Sequence, residues 1–209
     1  MSPPEVTIVS FGAGNVGSVV NMLRRLGVTA RPSDDPDEVR SAPRLILPGV
    51  GSFDAAAQRL RRLGLVEALK EAVMDRGCPI LGICLGMQLF AESSAEGCEP
   101  GLGWLAGRVE RIDALGDDRP PRVPHMGWNT LDLHHEKGWL LAGLDGDARF
   151  YFAHSYSLVC ADPGDVLTTT TYGCEFTSAV HRGNVTGTQF HPEKSHRYGM
   201  RLLENFLAR

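Results

Sequence analysis

The stretch from Pro79 to Ala91 constrains the fold more than any other. An apolar run, Pro79-Ile80-Leu81, leads into Gly82-Ile83-Cys84-Leu85-Gly86, and a helix-competent segment, Met87-Gln88-Leu89-Phe90-Ala91, follows directly. A cysteine with glycine two residues away on each side is the thiol form of the G-x-S-x-G elbow. In that elbow a strand turns sharply into a helix and projects a nucleophile from a sheet. The turn brings its own backbone close and leaves no room for side chains, which is why glycine flanks it. The start of the following helix adds unpaired N–H groups and a partial positive charge, both of which favour thiolate over thiol. A cysteine without this setting is more often buried and inert. The elbow makes Cys84 a candidate nucleophile and predicts covalent catalysis.

Such an elbow needs a sheet to spring from, and the first half of the chain alternates strands with helices. Val6 to Phe11 reads as a strand, and Asn15 to Leu26 carries a helical stripe of Val16, Val19, Val20, Leu23 and Leu26. Strands follow at Val28–Arg31 and at Leu45-Ile46-Leu47. Helical periodicity runs from Phe53 to about Arg76 with a break near Gly64, and then comes the strand Pro79–Ile83. This alternation predicts an α/β fold with a mixed, largely parallel central sheet flanked by helices. The second half is richer in strands, with candidates at Gly107–Ile112, Arg149–Cys160, Val166–Tyr172, Phe176–His181 and Val185–Phe190. Arg182-Gly183-Asn184 reads as a hairpin loop. A final helix, about His196 to Ala208, places Met200, Leu203, Phe206 and Leu207 on one face. The segment from Leu115 to Pro121 is a loop too short to divide domains, so residues 1–209 are expected to form one domain.

Charge and cysteine usage narrow the function classes. A net charge of -4 argues against a nucleic-acid or anionic-membrane partner. No uncharged apolar stretch approaches the ~20 residues of a membrane span. Met1-Ser2-Pro3-Pro4-Glu5 lacks the basic and apolar regions of a secretory signal. Cysteines at 78, 84, 98, 160 and 174 are odd in number and have no C-x-x-C spacing, so neither a disulfide framework nor a metal site is expected. A reduced, cytoplasmic compartment fits best, and no cofactor is implied.

A thiol nucleophile needs a base. Phe190-His191-Pro192-Glu193 closes the last expected strand, and in extended backbone His191 and Glu193 point to the same side. The carboxylate can then fix the tautomer and orientation of the imidazole. His125, His134, His154, His181 and His196 lack an acid two positions beyond a convincing strand end, and His134-His135-Glu136 falls in an expected loop. A third element, Leu47-Pro48-Gly49-Val50-Gly51-Ser52-Phe53, follows the third strand. Its backbone around Val50 can turn N–H groups inward and, with the amide of Leu85, stabilise the oxyanion of a tetrahedral intermediate. By itself this loop would read as an ordinary turn before a helix.

Pro48-Gly49-Val50-Gly51, Gly82-Ile83-Cys84-Leu85-Gly86-Met87-Gln88 and Gln189-Phe190-His191-Pro192-Glu193 together resemble the class I glutamine amidotransferase family, in order and across the whole chain. The resemblance implies that Cys84 attacks the side-chain amide of glutamine, that His191 protonates the departing ammonia, and that Glu193 orients His191. It also implies glutamine-binding roles for Gly51, Gln88, Ser155 and Tyr156. Five further segments resemble the glutaminase subunits of imidazole glycerol phosphate synthases: Gly12-Ala13-Gly14-Asn15, the Pro48–Phe53 loop, Pro124-His125-Met126-Gly127-Trp128-Asn129, Phe152-Ala153-His154-Ser155-Tyr156 and His191-Pro192-Glu193-Lys194-Ser195. That resemblance implies a heterodimer with a TIM-barrel cyclase subunit of histidine biosynthesis, which uses the ammonia. It places Asn15 and Lys194 on the partner-facing surface. His125, Met126 and Trp128 are large amphipathic groups of the kind found at interface cores. In one respect the chain departs from the family, with Ser10-Phe11 where Asp-Tyr is usual.

Other readings stand beside this one. Gly12-Ala13-Gly14-Asn15-Val16-Gly17 matches G-x-G-x-x-G after a strand and before a helix, and Asp34 lies near the end of the next strand, as in a dinucleotide site. An inactive scaffolding subunit would not need an intact Cys84, His191 and Glu193. A glutaminase subunit serving another synthase, such as one for anthranilate or pyridoxal phosphate, would share the chemistry and differ in partner.

Overall fold

A computed structural model describes residues 5–115, 122–134 and 138–209. Met1–Pro4, most of the expected 115–121 loop, and His135 and Glu136 lie outside the described residues. The first half alternates as its periodicity predicts: β1 (Glu5–Val9), α1 (Val16–Arg25), β2 (Thr29–Ser33), α2 (Pro36–Ser41), β3 (Leu45–Gly49), α3 (Phe53–Arg62), α4 (Leu65–Lys70), β4 (Ile80–Cys84) and α5 (Leu85–Gln88). Gly64 has a φ of 68° and splits α3 from α4. Helix α4 runs on through a π-helical turn at Glu71–Asp75. Helix α2 is an addition to the expected elements. It holds a single buried apolar residue, Val39, too little for a periodic signal, but Asp35 caps it and Pro36 opens it.

The second half contains β5 (Ser93–Ser94), β6 (Gly107–Arg111), β7 (His125–Asn129), β8 (Asp132–Leu133), β9 (Phe150–His154), β10 (Tyr156–Cys160), β11 (Val166–Tyr172), β12 (Cys174–Arg182), β13 (Val185–Thr188) and α6 (His196–Leu207). The expected single strand Arg149–Cys160 is two strands broken at Ser155. β9 pairs antiparallel with β7, whereas β10 pairs antiparallel with β6, so the chain must change partners there. The His125–Asn129 stretch is accordingly a strand.

The central sheet has the order β2-β1-β3-β4-β13-β12-β11-β8. From β2 to β13 neighbouring strands are parallel, and from β13 to β8 they are antiparallel. Every residue of β3 and β4 is buried. This is why both read as continuous apolar runs, since parallel strands are covered on both faces. Leu45 and Leu47 face a core built with Leu60, Leu65, Leu69 and Phe90 on the α3–α4 side. Ile46 and Ile83 face the other core with Val19 and Leu23 of α1 and Leu202, Leu203 and Phe206 of α6. Each such aliphatic side chain contributes roughly 1.5–3 kcal/mol on full burial. Two packed layers thus hold the carboxyl ends of β3, β4 and β13 side by side.

Candidate active site

Cys84 ends β4 with φ 55° and ψ -111°, backbone that a non-glycine residue rarely adopts. Close packing holds it there. A Cβ at Gly86 would lie 1.8 Å from the carbonyl oxygen of Leu47, and one at Gly82 would lie 2.6 Å from the Phe90 ring. The elbow is therefore pressed against β3 on one side and its own helix on the other. Gly49, the last residue of β3, is paired with Cys84. A Cβ on Gly49 would meet the backbone nitrogen of Gly86 at 2.9 Å. The Pro48–Gly51 turn consequently leaves the sheet next to the thiol, with Gly51 at φ 103° and Val50 43% exposed. The Leu85 N–H belongs to the first turn of α5, where no intrahelical acceptor exists.

Strand β13 lies against β4, with Thr188 opposite Ile83, so the chain beyond it arrives at the same edge. His191 Nδ1 lies 2.8 Å from Glu193 Oε1, and both side chains are buried. The expected extended His-x-Glu geometry is not what unites them: Pro192–Lys194 is a 3₁₀ turn, because Pro192 at its start favours helical backbone. The Cys84 side chain is the other group that acts on the imidazole. Burial alone would depress the His191 pKa. Hydrogen bonds and charge from Cys84 and Glu193 outweigh it and push His191 up to about 9. The His191 backbone is held as firmly. Its N–H donates to the Tyr151 carbonyl at 2.9 Å, and its carbonyl accepts from the Ser195 hydroxyl at 2.6 Å. Ser195 Oγ in turn accepts from the Tyr151 N–H at 3.0 Å.

Cys84 opens into a cavity of about 220 Å³ lined by Val50, Gly51, Leu85, Gln88, Glu96, Pro124 and the 153–156 segment. Gln88, Gly51, Ser155 and Tyr156, all singled out in the sequence, therefore meet at one place. Glu96 and Gln189 were not assigned roles from sequence. Glu96 Oε2 accepts from the Phe53 N–H at 2.9 Å, and Asp54 secures the same loop by accepting from the N–H groups of Cys98 and Glu99, each at 3.0 Å. The context Ser94-Ala95-Glu96-Gly97 carries no motif that marks it. Gln88 Nε2 donates to the Tyr156 carbonyl at 2.8 Å and to Gln189 Oε1 at 3.0 Å. Gln189 Nε2 lies 3.6 Å from Cys84 Sγ.

Behind the cavity, His154 Nδ1 lies 2.9 Å from the Tyr156 carbonyl, so that nitrogen carries the proton. His154 Nε2 then accepts from His125 Nδ1 at 3.3 Å. Burial pushes His154 down to about 3 and His125 down to about 4, so both rings are neutral near neutral pH.

The residues expected at a partner face separate into two groups. Met126 and Trp128 are 64% and 45% exposed. Trp128 stacks on His196 at 5.4 Å and meets Tyr151 edge-on, and Lys194 Nζ lies 5.6 Å over the Tyr151 ring. Asn15 is exposed, and its side chain caps α1 through the Ser18 N–H. His125 is the exception and corrects the expectation. Side chains alternate along β7, so while Met126 and Trp128 face out, His125 faces in, stacked between Tyr172 and Phe152. Phe11, in place of the usual tyrosine, is fully buried in the α3–α4 core.

The G-x-G-x-x-G segment does join β1 to α1, but its packing differs from a dinucleotide fingerprint. The third glycine of that fingerprint allows close helix–strand approach, whereas a Cβ at Gly17 would meet nothing within 4 Å. The space over Gly12 holds the Arg59 guanidinium, 2.4 Å from an added Cβ.

An elbow cysteine facing a buried histidine–glutamate pair at the edge of this sheet leaves few families to consider. The profile described as Glutamine amidotransferase class-I matches residues 7–209, and the chain belongs to that family. Within it the chain is 48% identical to imidazole glycerol phosphate synthase subunit HisH 2 of Pseudomonas aeruginosa, over 97% of this chain and 98% of that one. It is 45% identical to the HisH subunit of Bdellovibrio bacteriovorus, over 96% and 98% of the two chains. Among solved structures, a crystal structure of a glutamine amidotransferase superposes with a TM-score of 0.74 at 24% identity, covering 97% of each chain. PurLQS from Thermotoga maritima gives 0.74 at 19%, covering 99% of this chain and 98% of the other. These two likenesses concern the fold.

Proposed function

We propose that this chain is the glutaminase subunit of an imidazole glycerol phosphate synthase in histidine biosynthesis, built as one amidotransferase domain over residues 1–209. The observation that carries the reading is Cys84 lining a cavity while it lies beside the buried His191–Glu193 pair. The relatives carry the choice among glutaminases. Cys84 attacks the side-chain amide carbon of glutamine, and the oxyanion forms against backbone N–H groups of Leu85 and of the turn at Val50. His191, raised toward the charged form, protonates the leaving ammonia. The same ring then activates the water that hydrolyses the γ-glutamyl thioester, while Glu193 holds its tautomer. Glu96 supplies a carboxylate at the cavity wall for the substrate ammonium, and Gly51, Gln88, Ser155 and Tyr156 hold the rest of its polar atoms.

The ammonia passes to a TIM-barrel cyclase subunit in a heterodimer, which forms imidazole glycerol phosphate and an aminoimidazole carboxamide ribotide. Ammonia protonates in bulk water and loses nucleophilicity, so a sheltered route to a second chain is needed. Met126, Trp128 and Asn15, which are exposed, and the half-buried Lys194 are the groups that would meet that partner. All five cysteines carry free thiols, which fits a cytoplasmic setting. The test is a glutaminase assay with and without a cyclase subunit and its ribulosyl-phosphate substrate. Cys84→Ala should abolish glutamine hydrolysis and leave complex formation intact. Retained hydrolysis in that variant would remove the reading.

A further inference from the structure

We propose that Gln189 is a further catalytic residue, an amide donor that holds and stabilises the Cys84 thiolate. The inference rests on Cys84 being the nucleophile and adds a second partner for its sulfur beside the imidazole.

The orientation of the Gln189 amide follows from a chain of contacts that starts at a backbone carbonyl. The Tyr156 carbonyl can only accept, so the Gln88 atom 2.8 Å from it must be the NH₂ group. That NH₂ then faces Gln189 at 3.0 Å, and only the Gln189 oxygen can receive it. The Gln189 NH₂ is left pointing at Cys84 Sγ at 3.6 Å, an ordinary length for a hydrogen bond to sulfur's larger radius. Reversing either amide would set acceptor against acceptor at Tyr156 or donor against donor between the two glutamines. Gln189 is fully buried and Gln88 nearly so, which strengthens the contacts and removes water as a competing donor.

Two consequences belong to the geometry. Both hydrogens of the Gln88 amide are engaged, so this side chain offers the substrate an acceptor oxygen. Gln189 lies two residues before His191, so one short segment beyond β13 delivers both the proton acceptor and the thiolate donor. When His191 takes the thiol proton, the Gln189 N–H stays in place and faces the developing negative charge without reorienting.

The test measures Cys84 directly. The full chain is treated with iodoacetamide across pH, and alkylation of the Cys84 peptide is read by mass spectrometry. Relative to the wild-type protein, Gln189→Met removes the donor at similar length and should move the inflection up by about one pH unit, about tenfold slower labelling near neutral pH. Gln189→Glu keeps the shape and the acceptor for Gln88 but sets a carboxylate beside the sulfur, so its inflection should move further up. In the cyclase complex kcat should fall more than KM rises. A purely structural role would lower the melting temperature and leave both inflections at the wild-type value, and that result overturns the proposal. Failure of the underlying reading would instead appear as glutaminase activity in Cys84→Ala.

Discussion

Gly86→Ala puts the architecture of the elbow to a quantitative test. The added methyl would sit 1.8 Å from the Leu47 carbonyl oxygen and 2.8 Å from its carbonyl carbon. Ordinary nonbonded separations are about 3.5–4.0 Å between carbons, so the methyl overlaps the carbonyl carbon by about 0.7–1.2 Å and crowds the oxygen more closely still. The obstacle is backbone of β3, which is laddered to both β1 and β4 and cannot step aside alone. Overpacking a well-filled core costs roughly 1–3 kcal/mol and occasionally more, and this rigid contact belongs at the upper end, ~3 kcal/mol. At roughly 2–4 °C per kcal/mol for a domain of this size, the melting temperature should fall by roughly 6–12 °C. Any relief moves β3 away from β4, and with it the Pro48–Gly51 turn, so glutaminase activity should fall more steeply than folding. Gly17→Ala is the control. It lies in α1 with open space around it, and alanine there should stabilise by about 0.5–1 kcal/mol. Calorimetric melts of both variants decide the matter. A Gly86→Ala protein melting within about 2 °C of wild type, with full activity, would refute the packing argument.

The buried histidine pair predicts acid sensitivity. His125 and His154 are held at about 4 and about 3, below the ~6.5 of an unfolded histidine, so the unfolded chain takes up protons first as pH falls. Their contribution is therefore complete above about pH 6.5 and is lost toward pH 4 and 3, on the order of 2 kcal/mol per ring at pH 5. Urea midpoints at pH 7 and pH 5 should show this drop, and a His125→Gln variant should show a shallower one. At the exposed face, Trp128→Ala should weaken binding of the cyclase subunit by ~2–4 kcal/mol, about 30- to 1000-fold, with Cys84 alkylation unchanged. Titration calorimetry measures it, and an unaltered affinity would move the interface elsewhere.

The elbow was legible because its glycines and flanking apolar runs sit in one short stretch, although the contact that requires Gly86 comes from Leu47 of β3, much earlier in the chain. The proposed triad could be picked out for a different reason, since His191 and Glu193 are two residues apart and Cys84 sits at a recognisable turn. The break at Ser155 was hidden because Phe150 to Cys160 is rich in aromatic and aliphatic strand formers on both sides of it. Only the distant partners, β7 and β6, reveal that the run serves two sheets. His125 was misplaced because alternation on β7 tells which residues share a face without telling which face is covered. Glu96 carries no periodic or motif signal, and its position depends on Asp54, far back in the chain, holding its loop.

The sheet order has a consequence for how the protein comes into being on the ribosome. Strand β13, among the last elements synthesised, sits in the middle of the sheet between β4 and β12. The gap beside β4 can be filled only after some 190 residues have been made, so the sheet is completed from its centre. Until then Cys84 lacks both His191 and Gln189 as neighbours. On the proposed function, the site around Cys84 is assembled only when the last strand of the central sheet is in place.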